Sequence, residues 1–245
     1  LELAGTITTG DDGDMSVEPV ILCPLEVEAR WLHAAAPSLP RPVVVGPGDG
    51  VRHWIATHGR SGMVAILCGL AGGLRPTTPV GSAFLVDRVA SGVDADGELN
   101  ADQPTTLRAA IGVSELATVE RASVVTIRRV VGDPTTRTAL SAAHPDAQLV
   151  DCESWWFARA CHSAGVSWWI VRGVSDGPDD RLPRDVDDWV DADGSNRIGR
   201  VLSSLLRRPL DVVLLPRLAR RGRRAMAAVA GVLESNWADM EKGPA

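Results

Sequence analysis

Apolar residues in this chain come in short solid runs separated by helical spacing and by glycine- or proline-rich breaks. Val17–Leu25 (VEPVILCPL), Val43–Gly46, Gly62–Cys68 (GMVAILC), Ala83–Val89 and Val124–Val131 each predict a buried strand. Glu26–Ala36 has helical spacing and stops at Pro37–Pro42. Pro134–Ala143 predicts a second helix, with Asp133 as N-cap and Pro134 in the first turn. Val150–Asp180 reads as a strand end, a helix opened by Glu153, a buried strand closed by Asp176, and an acidic loop. Ile198–Leu206 and Leu210–Leu233 predict two helices broken by Arg-Arg-Pro at 207–209. Arg52–His58 reads as a hairpin partner, Ser91–Gln103 as a polar surface excursion and Leu182–Asn196 as a loop. Alternation of apolar strands with helices predicts an α/β fold whose mostly parallel sheet is covered on both faces. No repeat or clean linker divides it. Residues 1–16 read as a disordered acidic extension, 17–235 as one domain and 236–245 as a flexible tail.

Charge sharpens this picture. The net charge is −6 over 245 residues, but Glu2, Asp11, Asp12, Asp14 and Glu18 lie near the start with no Lys or Arg among them. The body is therefore close to neutral, and no basic channel argues for nucleic acid. The cysteines, Cys23, Cys68, Cys152 and Cys161, form no C-x-x-C pair, and the five histidines show no metal spacing. A reduced, cytoplasmic protein with no metal site and no cofactor is the expectation. No signal peptide or bilayer-spanning run is evident in the sequence.

Three places carry candidate chemistry. GLAGGL, residues 69–74, follows a buried strand and reads as a loop whose backbone N–H groups can approach an anion or a sugar. It lacks the spacing of a dinucleotide fingerprint. Glu26 and Glu28 follow the first strand, and Glu153 opens a later helix; the helix dipole alone favours acids at such positions. Arg172 is the sharper signal. A charge inside an apolar strand requires a carboxylate partner, and Glu28, Glu153 and Asp176 are the acids at hand. A purely structural ion pair and an ordinary turn Asp remain alternatives for these residues.

Taken together and in this order, ILCPLEVEARWL, CGLAGGL, VDCESWWFARA and WWIVRGVSD resemble the nucleoside phosphorylase and nucleosidase superfamily over residues 17–235. The tail, with its D-x-D-G loop and R-R-P break, is most similar to the hopanoid-associated branch, which acts on an adenosylated lipid. The resemblance implies a three-layer fold with a mixed, mostly parallel central sheet. It implies cleavage of the N-glycosidic bond of an adenosine-type nucleoside, with a hydrophobic or lipid 5′ substituent in that branch. Phosphate or water would be the nucleophile, phosphate then being a co-substrate. Asp176 would protonate the leaving purine at N7, and Ser175 would orient it. Glu28 and Arg172 would position a water or anion. Glu153 would bind the ribose hydroxyls, Cys152 would lie against the sugar, and Gly69, Leu70, Ala71 and Gly72 would line the nucleophile side. A homo-oligomer is the family's usual state.

The chain departs from the pattern in places. Leu70 replaces a Ser or Thr that contacts phosphate or the nucleophile, Val130 replaces a base-stacking aromatic, and Ser82–Ala83 replaces a Gly-Asp pair. Trp155 and Trp156 could stack instead, though core packing explains them as well. These departures keep open a non-catalytic nucleoside-binding or scaffold protein on the same fold. The arginines between Arg207 and Arg224 fit either a solvated helix face or a peripheral membrane-surface contact.

Overall fold

A computed structural model describes residues 19–92, 106–108, 119–183, 193–194 and 214–241. The elements run β1 (Val20–Cys23), α1 (Glu26–Ala35), β2 (Val43–Val44), α2 (Asp49–His58), β3 (Val64–Gly73), β4 (Ala83–Ser91) and β5 (Thr106–Arg108). They continue with β6 (Arg121–Thr126), α3 (Pro134–Ala143), β7 (Leu149–Asp151), α4 (Ser154–Ala164), β8 (Ser167–Asp176) and α5 (Leu215–Glu241). The predicted tail over 198–206, the acidic extension 1–16 and most of Ser91–Gln103 and Leu182–Asn196 lie outside the described residues.

One eight-stranded mixed sheet organises the molecule. β1 pairs in parallel with β2 and β3, β3 with β8, and β6 with both β4 and β7. The pairs β3–β7, β4–β5 and β4–β8 are antiparallel. Because β8 bridges β3 and β4, the path β3–β7–β6–β4–β8 returns on itself and closes that part of the sheet into a ring. Solid apolar strands, as in VAILC of β3, are what burial on both faces requires.

Side-chain alternation along β8 shows the two faces. Trp168 and Ile170 join Val51, Ile55, Trp155 and Phe157 in one cluster, which lies under α2 and α4. Trp169 and Val171 join Leu32, Met226, Val229 and Leu233 in the other, under α1 and α5. Both Trp pairs are thereby accounted for. Trp155, Trp168 and Trp169 are core, and half-buried Trp156 packs at its margin with Arg128 over its ring, 5.6 Å from the centroid.

Three expectations need correction. Arg52–His58 is part of helix α2 and pairs with no strand, because Val51 and Ile55 fall one helical turn apart and both bury fully. GLAGG is not a loop: β3 runs on through it in register with β8, Gly69 opposite Arg172 and Leu70 opposite Gly173. The strand expected over Val124–Val131 begins at Arg121 and stops at Thr126, where the Thr126 hydroxyl donates to Asp151 Oδ1 at 2.7 Å and accepts the Trp155 N–H. Ile127 N–H still donates to Asp151 O at 2.9 Å before the chain leaves the sheet. The Asp133 cap forms, its Oδ1 accepting Thr136 N–H at 2.9 Å.

Candidate active site

The carboxyl ends of β1, β3, β7 and β8 bring four acids and two arginines together. Such ends are where open α/β sheets place ligands. Arg172, fully buried on β8, is held by Asp151 Oδ2 at 2.6 Å and Glu153 Oε2 at 3.2 Å, and its Nε donates to Ser154 Oγ at 3.3 Å. Burial alone would push its pKa down, yet Asp151, Glu153 and Glu28 together hold it above the ordinary arginine value. Arg172 Nη1 is buried without a hydrogen-bond partner.

Gly69 explains how the arginine fits. A Cβ there would stand 2.5 Å from Arg172 Nη1 and 3.1 Å from Glu28 Oε1, so only a glycine lets both groups lie against the strand. Gly69→Ala is therefore expected to displace the guanidinium, with a stability loss of about 1–3 kcal/mol. A variant with the wild-type melting temperature would show that the guanidinium need not lie there.

Glu28 sits on the first turn of α1 and is 3% exposed. Its Oε1 accepts Leu70 N–H at 2.8 Å and its Oε2 accepts Leu25 N–H at 3.0 Å. Burial raises its pKa to about 7, against the lowering effect of the Leu70 N–H. Glu153 divides its oxygens between Arg172 and the Gly48 N–H, the latter at 3.2 Å. Burial pushes its pKa up, partly offset by Arg172.

Asp176 closes β8 as predicted by the sequence pattern, but it is not a partner of Arg172. Its Oδ2 forms a short ion pair with Arg137 of α3, and its Oδ1 accepts the Ser175 hydroxyl. Ser175 Oγ also lies 3.3 Å from Ala71 O. Cys152 sits half-buried between Asp151 and Glu153, and Leu70 and Gly72 are likewise half-buried. Val130 is 41% exposed in the β6–α3 loop.

Two site residues escape sequence reasoning. Asp151 is the nearest acid to Arg172, and its only signal is that it follows the apolar Leu149 and Val150 of β7, two residues before Glu153. Arg137 shares the buried face of α3 with Leu140. An arginine on the apolar stripe of a short helix is the trace that could have flagged it.

Among the described α5 arginines, Arg217, Arg220, Arg223 and Arg224 are exposed and Arg221 is half-buried. Arg217 and Arg221 pair with Asp180 at 3.4 and 2.8 Å, Arg223 lies over Trp31 and Arg224 packs against Gly81. Among the described residues no helix is long and apolar enough to cross a membrane.

This sheet and its helical layers are those of the nucleoside phosphorylase and nucleosidase enzymes. The Phosphorylase superfamily profile matches residues 58–207, and the chain belongs to that superfamily. No curated protein matches it in sequence. Among solved structures, the 5′-methylthioadenosine/S-adenosylhomocysteine nucleosidase of Neisseria meningitidis, in complex with methylthio-immucillin-A, is similar with a TM-score of 0.58 and 16% identity, covering 89% of this chain and 99% of that one. The futalosine hydrolase of Helicobacter pylori is similar with a TM-score of 0.64 and 12% identity, covering 92% of this chain and 99% of that one. The 5′-methylthioadenosine/S-adenosylhomocysteine nucleosidase of Helicobacter pylori has a TM-score of 0.63 at 12% identity, covering 91% and 99%. At these identities the likeness is one of fold.

Proposed function

We propose that this enzyme hydrolyses the N-glycosidic bond of an adenosine-type nucleoside, with water as the nucleophile. The observation that carries this reading is the charge balance around Arg172. Its guanidinium is already matched by Asp151 and Glu153, with Glu28 beside it. A dianionic phosphate would meet a net negative pocket, and Leu70 supplies no hydroxyl to hold it. A water, by contrast, suits the unpartnered donor at this site, Arg172 Nη1, and the adjacent Glu28. A carboxylate with a pKa of about 7 is well matched to general-base work near neutrality.

The roles follow from this. Glu28 takes a proton from water as its oxygen bonds to C1′. The C1′–N9 electron pair goes to the base, and Asp176 supplies the proton that N7 requires. Glu153 meets the ribose hydroxyls once they displace the Gly48 N–H. The similar nucleosidases named above support a purine nucleoside as the substrate class. The hopanoid-like tail supports a hydrophobic 5′ substituent.

The test is adenine release from adenosine and from a series of 5′-alkyl adenosines, in phosphate-free buffer and with phosphate added. The rate should be independent of phosphate, the sugar product should be free ribose, and longer 5′ chains should lower KM. Ribose 1-phosphate as product, or a rate that needs phosphate, would overturn hydrolysis.

A further inference from the structure

Arg137 is the one charged group at the site that none of the roles above uses. It rises from α3 and is almost fully buried. Every guanidinium N–H has an acceptor. Nε and Nη2 donate to Val131 O at 3.1 and 2.8 Å, Nη1 donates to Gly177 O at 2.7 Å and Gly73 O at 3.4 Å, and Nη2 also pairs with Asp176. The fork thus ties together the end of β3, the loop before α3 and the exit of β8. Gly72 leaves room for it, since a Cβ there would stand 3.2 Å from both Arg137 Nη1 and Asp176 Oδ2.

The charges nearby are committed elsewhere. Arg172 is held by Asp151 and Glu153, and Asp180 is held by Arg217 and Arg221. Asp176 itself has Ser175 on one oxygen and Arg137 on the other. An ion pair with a guanidinium is the arrangement of an ionised carboxylate. It is therefore the state expected after a proton has left.

We propose that Arg137 is a positioning residue for proton transfer from Asp176 to the leaving base: it fixes the carboxyl at the exit of β8 and takes up the charge that the carboxyl acquires. The step balances. The O–H bond of Asp176 breaks and the N7–H bond forms, while the C1′–N9 pair passes into the purine. The carboxylate left behind is the species paired with Arg137 here, and solvent returns the proton after release. A fixed cation aimed where charge develops favours the transition state over the ground state. The inference rests on the nucleosidase reading above.

A substrate that needs no proton separates this role from a merely structural one. An N7-methylated adenosine carries its positive charge already, and its base leaves without protonation. R137M is expected to lower kcat on adenosine by about 100-fold, and on 7-methyladenosine by less than about 5-fold, with little change in KM. D176N should show the same discrimination, and R137M/D176N should lose no more than D176N alone, as residues acting as one unit do. R137K keeps the charge but not the fork, so it should recover part of the adenosine rate. It also carries the test should R137M fail to fold. Equal losses on the two substrates, or additive losses in the double variant, overturn the proposal.

Adenine binding, followed by tryptophan fluorescence, gives a readout independent of turnover. R137M should weaken it at least tenfold, and R137K should restore most of it. If the wild type releases no base yet binds adenine in an Arg137-dependent way, the hydrolase reading fails and the positioning role stands. If R137M binds adenine as the wild type does, the positioning role fails.

Discussion

Arg172→Met is expected to destabilise the protein by about 3–5 kcal/mol, because it leaves buried acids without their cation. Asp151 and Glu153 are 6% and 7% exposed, and Arg172 reaches both. Methionine fills much of the volume but carries no charge, so the loss is electrostatic rather than a cavity. For a domain of this size the shift corresponds to a fall in melting temperature of about 10 °C at pH 7. Two comparisons isolate the cause. Adding Asp151→Asn removes one of the stranded charges and should recover part of the loss. Lowering the pH to 5 should narrow the gap between variant and wild type, since burial already pushes Glu153 toward its neutral form. A variant that melts within 1 °C of the wild type would mean that the guanidinium is not what balances these acids.

Glu28→Gln is expected to lower base release by about 10²–10⁴-fold, the usual range for a positioned base. Its stability should tell a second story. The folded protein holds the Glu28 pKa at about 7, above the ordinary value of 4.5. Between those values the folded state binds a proton that the unfolded chain has released. The stabilisation from this group is thus complete below about pH 4.5 and is lost as pH rises through about 7. Glutamine does not titrate. The melting temperature of the variant relative to wild type should therefore rise between pH 5 and pH 8, over whatever constant offset follows from the bonds to Leu25 and Leu70 N–H. The pH–rate profile of the wild type should rise through about pH 7 as Glu28 ionises. A flat stability difference across that range would place Glu28 in an ordinary, solvated setting.

How much of this was legible in the chain depends on the kind of signal. Runs such as VAILC and WWIV announce strands buried on both faces, and the Asp133–Pro134 start of α3 announces itself by capping chemistry. The helix over 49–58 was hidden because glycines and prolines before it resemble a turn, while only Val51 and Ile55 carry its periodicity. The glycines of GLAGG pointed to a loop on local grounds. Their real cause lies far away in sequence, in the room that Arg172, Glu28 and Arg137 require. Arg172 advertised itself by standing in an apolar strand, and the need for a carboxylate followed. Which carboxylate did not follow, because spacing along one chain does not say that Asp151 crosses to Arg172 while Asp176 turns to α3. Arg137 had a weaker contrast around it, sharing one face with Leu140 in a helix made mostly of threonines and alanines.

The ring closed by β8 also bears on how the enzyme comes into being. Ile66 pairs with Trp169 and Gly69 with Arg172, partners 103 residues apart in the chain. A nascent polypeptide therefore exposes the apolar edge of β3, and leaves Glu28 without its arginine, until β8 has cleared the ribosome. Long-range pairing of this kind is slow and leaves strand edges open to association. The same pairing that assembles the buried acids makes the site one of the last parts of the molecule to form during biosynthesis.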